Sequence, residues 1–167
     1  MMPLVIFGAI NFAIPMLTSR TVLAQPERNS SSVTSPGELV FVPIYSSIFY
    51  ENHKQTLELA ATLSVHNVNP DGTITLTRAD YYDTEGRLLK KYLQKPIVLN
   101  PLQTKNFIVE RSDTKGGTGA NFLVEWQSTQ DVASPIMEAV MINASSNLGI
   151  AFTTNGKVVR QISAPVK

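Results

Sequence analysis

The chain contains no cysteine, which excludes disulfides, iron–sulfur ligation, thiolate zinc sites and thiol catalysis together. Lipidation at an exported cysteine is excluded on the same ground. Histidine is nearly as scarce, with only His53 and His66 present. A three-histidine zinc site is therefore impossible, and a two-histidine site would need carboxylates from elsewhere. Long basic runs are missing too, and 14 Lys and Arg against 13 Asp and Glu leave a formal charge of +1. That is a poor match to a phosphate backbone, so nucleic acid is not an expected partner. The chain also lacks a G-x-S-x-G elbow, an EF-hand loop, a fixed-period repeat and a convincing amphipathic helix of about ten residues or more. No catalytic constellation is recognisable, and neither an enzyme activity nor a cofactor is expected.

The 167 residues are 43% hydrophobic and 16% charged, the balance of one folded domain with a substantial core. The first 24 residues stand apart: Pro3 to Leu17 is mostly apolar, and Val22, Leu23 and Ala24 form a small-residue cleavage pattern. Residues 1–24 read as an export signal, although the usual positive n-region is missing. The alternative is an uncleaved membrane anchor over residues 3–19, the one route by which the chain would meet a membrane. Against it, the apolar run falls short of the roughly 20 residues a span needs and contains Asn11 and Pro15. Residues 25–37, QPERNSSSVTSPG, read as a flexible linker. The folded domain is expected over 38–163, with 164–167 as a tail.

Strand signals dominate that domain. Leu57, Leu59, Ala61, Leu63 and Val65 alternate with polar or small neighbours, the signature of a strand with one face in the core. Over Thr73 to Asp83 the phase of Ile74 and Leu76 differs from that of Ala79 and Tyr81, which predicts a β-bulge near Thr77 and Arg78. Asn69-Pro70-Asp71-Gly72 between these two runs predicts a hairpin. Arg87 to Leu93, an edge segment from Pro96 to Leu99, and a strand through Phe107 and Val109 follow. Phe122, Val124 and Trp126 alternate as core residues. Ile136 to Ile142 and Gly149 to Thr154 complete the set, with Asn155-Gly156 predicting a hairpin into Lys157 to Ile162. About eight or nine closely spaced strands indicate an all-β fold, an immunoglobulin-like antiparallel β-sandwich, with a small barrel as the alternative.

The segments VFVPIYSSIFY (Val40 to Tyr50), LAATLSVHN (Leu59 to Asn67), DYYDTEGRLL (Asp80 to Leu89) and GGTGANFLVEW (Gly116 to Trp126) resemble the bacterial family catalogued as domain of unknown function 3124. The resemblance covers roughly Glu38 to Thr154. It implies a bacterial, exported protein and brings no catalytic residue with it.

Three groups of residues could carry chemistry. Asp80, Asp83 and Glu85 offer clustered oxygen ligands for calcium, but Asp80 and Asp83 differ in strand parity, and Asp83 suits a turn-stabilising role. Gly116-Gly117-Thr118-Gly119 is followed by Ala120 and Asn121 rather than the lysine and hydroxyl of a phosphate loop. It reads as a flexible inter-strand loop, and Asp113, Lys115, Gly116, Gly117, Thr118, Gly119 and Asn121 become the expected partner contact. Tyr45, Tyr50, Tyr81 and Tyr92 could form an aromatic platform. The expected function is that of a non-catalytic binding or protein-interaction module in the bacterial envelope, periplasmic or extracellular, with an envelope protein or glycan as partner. The alternatives are a small hydrolase, if His53 or His66 reaches both a nucleophile and a carboxylate, and a calcium-stabilised carbohydrate-binding domain.

Overall fold

A computed structural model describes residues 34–144 and 149–163; the expected signal segment, most of the linker and the tail lie outside them. The described residues form twelve strands and one short 3-10 segment. The strands are β1 (Thr34–Pro43), β2 (Ser47–Tyr50), β3 (Asn52–Glu58), β4 (Ala60–His66), β5 (Ile74–Tyr82) and β6 (Leu88–Lys91). They continue as β7 (Ile97–Leu99), β8 (Thr104–Val109), β9 (Asn121–Ala133), β10 (Ile136–Asn143), β11 (Ile150–Asn155) and β12 (Lys157–Gln161). A first sheet runs β12-β1-β9-β5-β6 with β7 also on β5, a second runs β11-β10-β4-β8, and β2-β3 is a separate ribbon. Every pairing is antiparallel. Among the described residues no helix is long and apolar enough to cross a membrane.

The period-two pattern places one core between the two larger sheets. Val40 and Val42 of β1, Leu76 and Tyr81 of β5, and Phe122, Val124 and Trp126 of β9 share a cluster with Leu63 and Val65 of β4, Phe107 of β8 and Met141 of β10. Phe107 and Phe122, from opposite sheets, lie 6.4 Å apart between ring centroids. Burial of each large apolar side chain contributes about 1.5–3 kcal/mol, and with no cysteine this is the main term holding the sheets together. The expected bulge is present: the β5–β9 register shifts between Leu76 and Arg78, which lets Ile74, Leu76, Ala79 and Tyr81 all point inward.

Four expectations need correction. Asn69 to Gly72 does not close a hairpin, because β4 pairs with β8 and β10 while β5 pairs with β9, β6 and β7. Asn155-Gly156 does not either: β11 lies on β10, β12 lies on β1, and the chain crosses between sheets at Gly156. Gly156 is not in the left-handed region. It is needed because a Cβ there would come within 2.7 Å of Val40 Cγ1 and 3.2 Å of Met137 Cβ. The strand expected from Leu57 is interrupted at Leu59, whose N–H donates to the Ser46 carbonyl at 2.9 Å, so Leu57 belongs to the ribbon. Finally, β1 begins at Thr34, inside the expected linker, since Thr34 and Ser35 pair with Ala133 and Val132.

Candidate functional site

At one end of the molecule three segments lock together. The first is the Asp83-Thr84-Glu85-Gly86 turn. Asp83 Oδ1 accepts from the N–H groups of Glu85 (3.0 Å) and Arg87 (2.8 Å), and its Oδ2 accepts from Arg87 Nε (2.7 Å). Asp80 is tied to Arg78 at 2.7 Å and Glu85 to Arg87 at 3.0 Å. Each calcium candidate thus faces an arginine, and no three potential metal-ligating side chains converge among the described residues. Burial pushes the Asp83 carboxyl up, but the Arg87 N–H, guanidinium and charge, with the Glu85 N–H, more than reverse this and hold it below the usual carboxylate range. A depressed folded-state value gives stability that is complete above the unfolded value near pH ~4 and is lost as pH falls through the folded one. Urea midpoints between pH 5 and 2 should therefore fall more steeply for the wild type than for Asp83→Asn, and parallel curves would remove Asp83 from acid unfolding.

The second segment is the glycine-rich stretch. Where the sequence suggests a flexible inter-strand loop, the structure has a 3-10 turn, Thr114–Gly119, capped by the Asp113 side chain. Gly116 is buried against Tyr81, and Gly117 has φ 75°, a conformation that favours glycine. Gly116 O accepts from Thr84 N (3.0 Å) and Thr84 Oγ1 (2.9 Å), while Gly119 N donates back to Thr84 Oγ1 (3.0 Å). Lys115 and Gly119 are exposed, whereas Gly117, Thr118 and Asn121 are half-buried. Of the residues expected to contact a partner, Gly116 and Gly117 brace the neighbouring segments from inside, as a plug, while the others keep part of their surface exposed.

The plug holds the third segment, the β2–β3 ribbon. Gly117 N donates to Ser46 Oγ at 2.8 Å and Ser46 N donates to Gly117 O at 3.2 Å, immediately before β2. Asn143 Nδ2 fixes the other leg through Glu58 O at 2.6 Å. The ribbon pairs with neither large sheet and reverses at Glu51, whose φ is 56°. Its tip carries Phe49 at 59% exposure and Tyr50 at 46%.

The two histidines diverge. His53 falls in β3, and its side chain lies outside the described part. His66 sits on the outer face of the second sheet, its Nδ1 2.9 Å from Thr104 Oγ1 and its Nε2 3.6 Å from Glu138 Oε1. Hydroxyl, imidazole and carboxylate thus line up across β8, β4 and β10, because His66 pairs with both Thr104 and Ile136 in register. Two cavities lie elsewhere. One of about 340 Å³ is bordered by Asn69, Pro70, Gly72 and Gln130 to Ala133 at the opposite end from the ribbon. Another of about 250 Å³ is bordered by Lys90, Tyr92, Ile108, Glu110 and Asp113.

Residues 37–159 match the family model described as protein of unknown function (DUF3124). The chain belongs to the DUF3124 family. No curated protein matches it by sequence. Among solved structures it is similar to the crystal structure of Thermotoga maritima 1070, at 12% identity and a TM-score of 0.44, over 72% of this chain and 92% of that one.

The DUF3124 match takes in the ribbon, the plug and the Asp83 turn together. The four tyrosines expected as a platform are dispersed in this DUF3124 chain. Tyr81 is fully buried and stacks on Phe122 at 5.2 Å, and Tyr45 packs on Phe152 at 5.8 Å. Tyr92 leans on Phe107 and Phe122, which leaves Tyr50 as the exposed one, beside Phe49. Sequence reading missed the ribbon because β3 opens Asn-His-Lys-Gln-Thr and shows no apolar alternation. The signal available was Ile48-Phe49-Tyr50 before a polar stretch, a short strand in which Ile48 meets Leu57 but Phe49 and Tyr50 face the polar Thr56 and Asn52.

Proposed function

We propose that this protein is a non-catalytic binding module of the bacterial envelope, in which an immunoglobulin-like β-sandwich holds a two-stranded ribbon out as its contact element. The N-terminal 24 residues act as its export signal and the following segment as a tether, so the folded domain works in the periplasm or outside the cell. The sandwich reading is supported by two antiparallel sheets around one core. The single observation that carries the function is the tip: Phe49 and Tyr50 are adjacent, both exposed, and mounted on hydrogen-bonded supports at Ser46 and Glu58. Adjacent exposed aromatics on a braced element are the composition of an interaction hot spot, covered when a partner docks.

The test is affinity capture from an envelope extract of the native host with the full chain, wild type beside Phe49→Ser/Tyr50→Ser. The wild type should retain a reproducible protein or glycan that the double variant loses by at least about tenfold, since two anchors of about 2 kcal/mol each are removed. Identical capture by both proteins would end the ribbon reading. The alignment of Thr104, His66 and Glu138 favours a second reading, hydrolysis. The site lies on a sheet face, and an acyl-transfer site also needs donors converging on the developing oxyanion. Turnover of p-nitrophenyl acetate at the buffer rate is expected; turnover abolished by Thr104→Val and kept by Phe49→Ser would transfer the function to this triad.

A further inference from the structure

The cavity of about 250 Å³ bordered by Lys90, Tyr92, Ile108, Glu110 and Asp113 has the chemistry of a cation site and already holds a cation of its own. Tyr92 is immobilised as its wall: the hydroxyl donates to Ile108 O at 2.7 Å, and the ring is wedged against Phe107 at 5.7 Å and Phe122 at 5.2 Å. Lys90 Nζ stands 4.2 Å from the Tyr92 ring centroid. An ammonium at that distance is held by the negative face of the ring. Lys90 is in no ion pair among those of the described residues.

The two carboxylates at the cavity are lightly engaged. Glu110 accepts from Ser112 Oγ at 3.4 Å and Asp113 from Lys115 N at 3.4 Å, both at the long limit of a hydrogen bond. Their charge is felt at the ring. Burial first, then Tyr81, Asp113 and Glu110, push the Tyr92 hydroxyl up to about 12. The share of this rise that comes from the Asp113 and Glu110 charges is a negative potential, and it favours a positive guest, whereas the share from burial does not. The volume is below the ~300 Å³ at which drug-sized ligand pockets begin, which limits the guest to a small group.

We propose that this cavity recognises a small organic ammonium group, and that Lys90 is a built-in competitor covering the Tyr92 ring until the guest displaces it. Tyr92 supplies the ring face, Glu110 and Asp113 the countercharge, and Ile108 an apolar lip for the alkyl part. The site is separate from the ribbon tip, so it stands or falls independently of the interaction reading.

The experiment is an NMR titration of the full-length protein with tetramethylammonium chloride, as a free cation, and with the peptide acetyl-Gly-Lys-Gly-amide, as a protein-borne one, each at constant ionic strength. In the free protein the Lys90 methylene resonances should be shifted upfield by the Tyr92 ring, and saturable binding should return them toward ordinary lysine positions. Neopentyl alcohol, similar in shape and uncharged, should leave them in place. Lys90→Ser should tighten binding by about two- to fivefold, the worth of the exposed cation–ring contact it removes. Glu110→Gln/Asp113→Asn should weaken it by at least as much, and Phe49→Ser/Tyr50→Ser should leave it unchanged. Saturation by tetramethylammonium alone would identify the guest as a free small cation, and saturation by the peptide would identify it as a lysine side chain. The proposal is overturned if neither probe saturates by about 100 mM, if Lys90→Ser binds no tighter, or if the carboxylate variant binds like the wild type.

Discussion

Replacing Gly116 by alanine is expected to destabilise the protein by about 3 kcal/mol, the upper end of what overpacking a filled core costs. The added methyl would lie 1.9 Å from the Tyr81 hydroxyl oxygen, 2.8 Å from Tyr81 Cζ and 2.9 Å from Ala120 Cβ. Tyr81 has little room to retreat, being fully buried and stacked on Phe122 at 5.2 Å. Nor can the plug easily move outward, since Gly116 O is held by Thr84 and Gly117 by Ser46. The check is a urea double-mutant cycle with Tyr81→Phe. That substitution alone should be nearly neutral, because the hydroxyl is enclosed without a hydrogen bond of good geometry; Ser46, its polar neighbour, spends its own hydroxyl on Gly117. In the Tyr81→Phe background the cost of Gly116→Ala should shrink by at least about 1 kcal/mol as the nearest clash is removed. An unchanged cost would show that the loss comes from backbone geometry and not from the Tyr81 contact.

An effect of similar size is expected at Glu38. It occupies a core-facing position of β1, in phase with Val40 and Val42 and directly opposite Trp126 in register, and it is 2% exposed. Among the described residues no cation pairs with it; its carboxylate accepts from Trp126 Nε1 (3.2 Å), Ser134 Oγ (2.8 Å) and Gln161 Nε2 (3.1 Å). Glu38→Ala strands three donors in or near the core, each unmade bond costing about 1–3 kcal/mol, so a loss of roughly 3 kcal/mol follows even after partial rehydration. Glu38→Gln should be intermediate. One amide oxygen can still receive Ser134 and Gln161, while the amide nitrogen confronts the indole N–H with a second donor. Because the chain has one tryptophan, native-state fluorescence reports this site without interference. Altered Trp126 emission with lowered urea midpoints, in the order Ala below Gln below wild type, is the expected result. Equal stability of all three proteins would mean that the network contributes nothing net.

How much of this was legible in the chain depended on whether a feature is local. The bulge between Leu76 and Arg78, the Asp83 turn and the inward set Phe122, Val124 and Trp126 could all be read, because each is dictated by neighbours in sequence. Turn chemistry at Asn69 to Gly72 and Asn155-Gly156 was also real as a change of direction. What such residues do not specify is which sheet receives the next strand, and in both places the chain changes sheets. Glu38 could have been suspected from its phase with Val40 and Val42, but the donors that make it tolerable come from residues 88 to 123 positions away. The glycine stretch misled for a related reason. Glycine permits a loop to be flexible and equally permits a backbone to pack tightly against an aromatic ring, and only the position of Tyr81 distinguishes the two. The ribbon tip and the Lys90 cavity are surface arrangements of separate segments, to which no short motif corresponds.

The crossing at Gly156 also bears on how the molecule is assembled in time. Chain order and spatial order disagree in both large sheets: β1 waits for β9 and β12, and β4 waits for β8 and β10. Of the first sheet, only β5 with β6 and β7 can close from nearby residues. Such non-local wiring places folding in the millisecond-to-second range rather than the microsecond range of locally connected proteins. A nascent chain emerging from the ribosome would hold β1 without its sheet partner until β9 is complete at Ala133. Among the described residues the last strand, β12, seals the outer side of the first, β1, so the sheet is closed off by a contact more than a hundred residues apart in the chain.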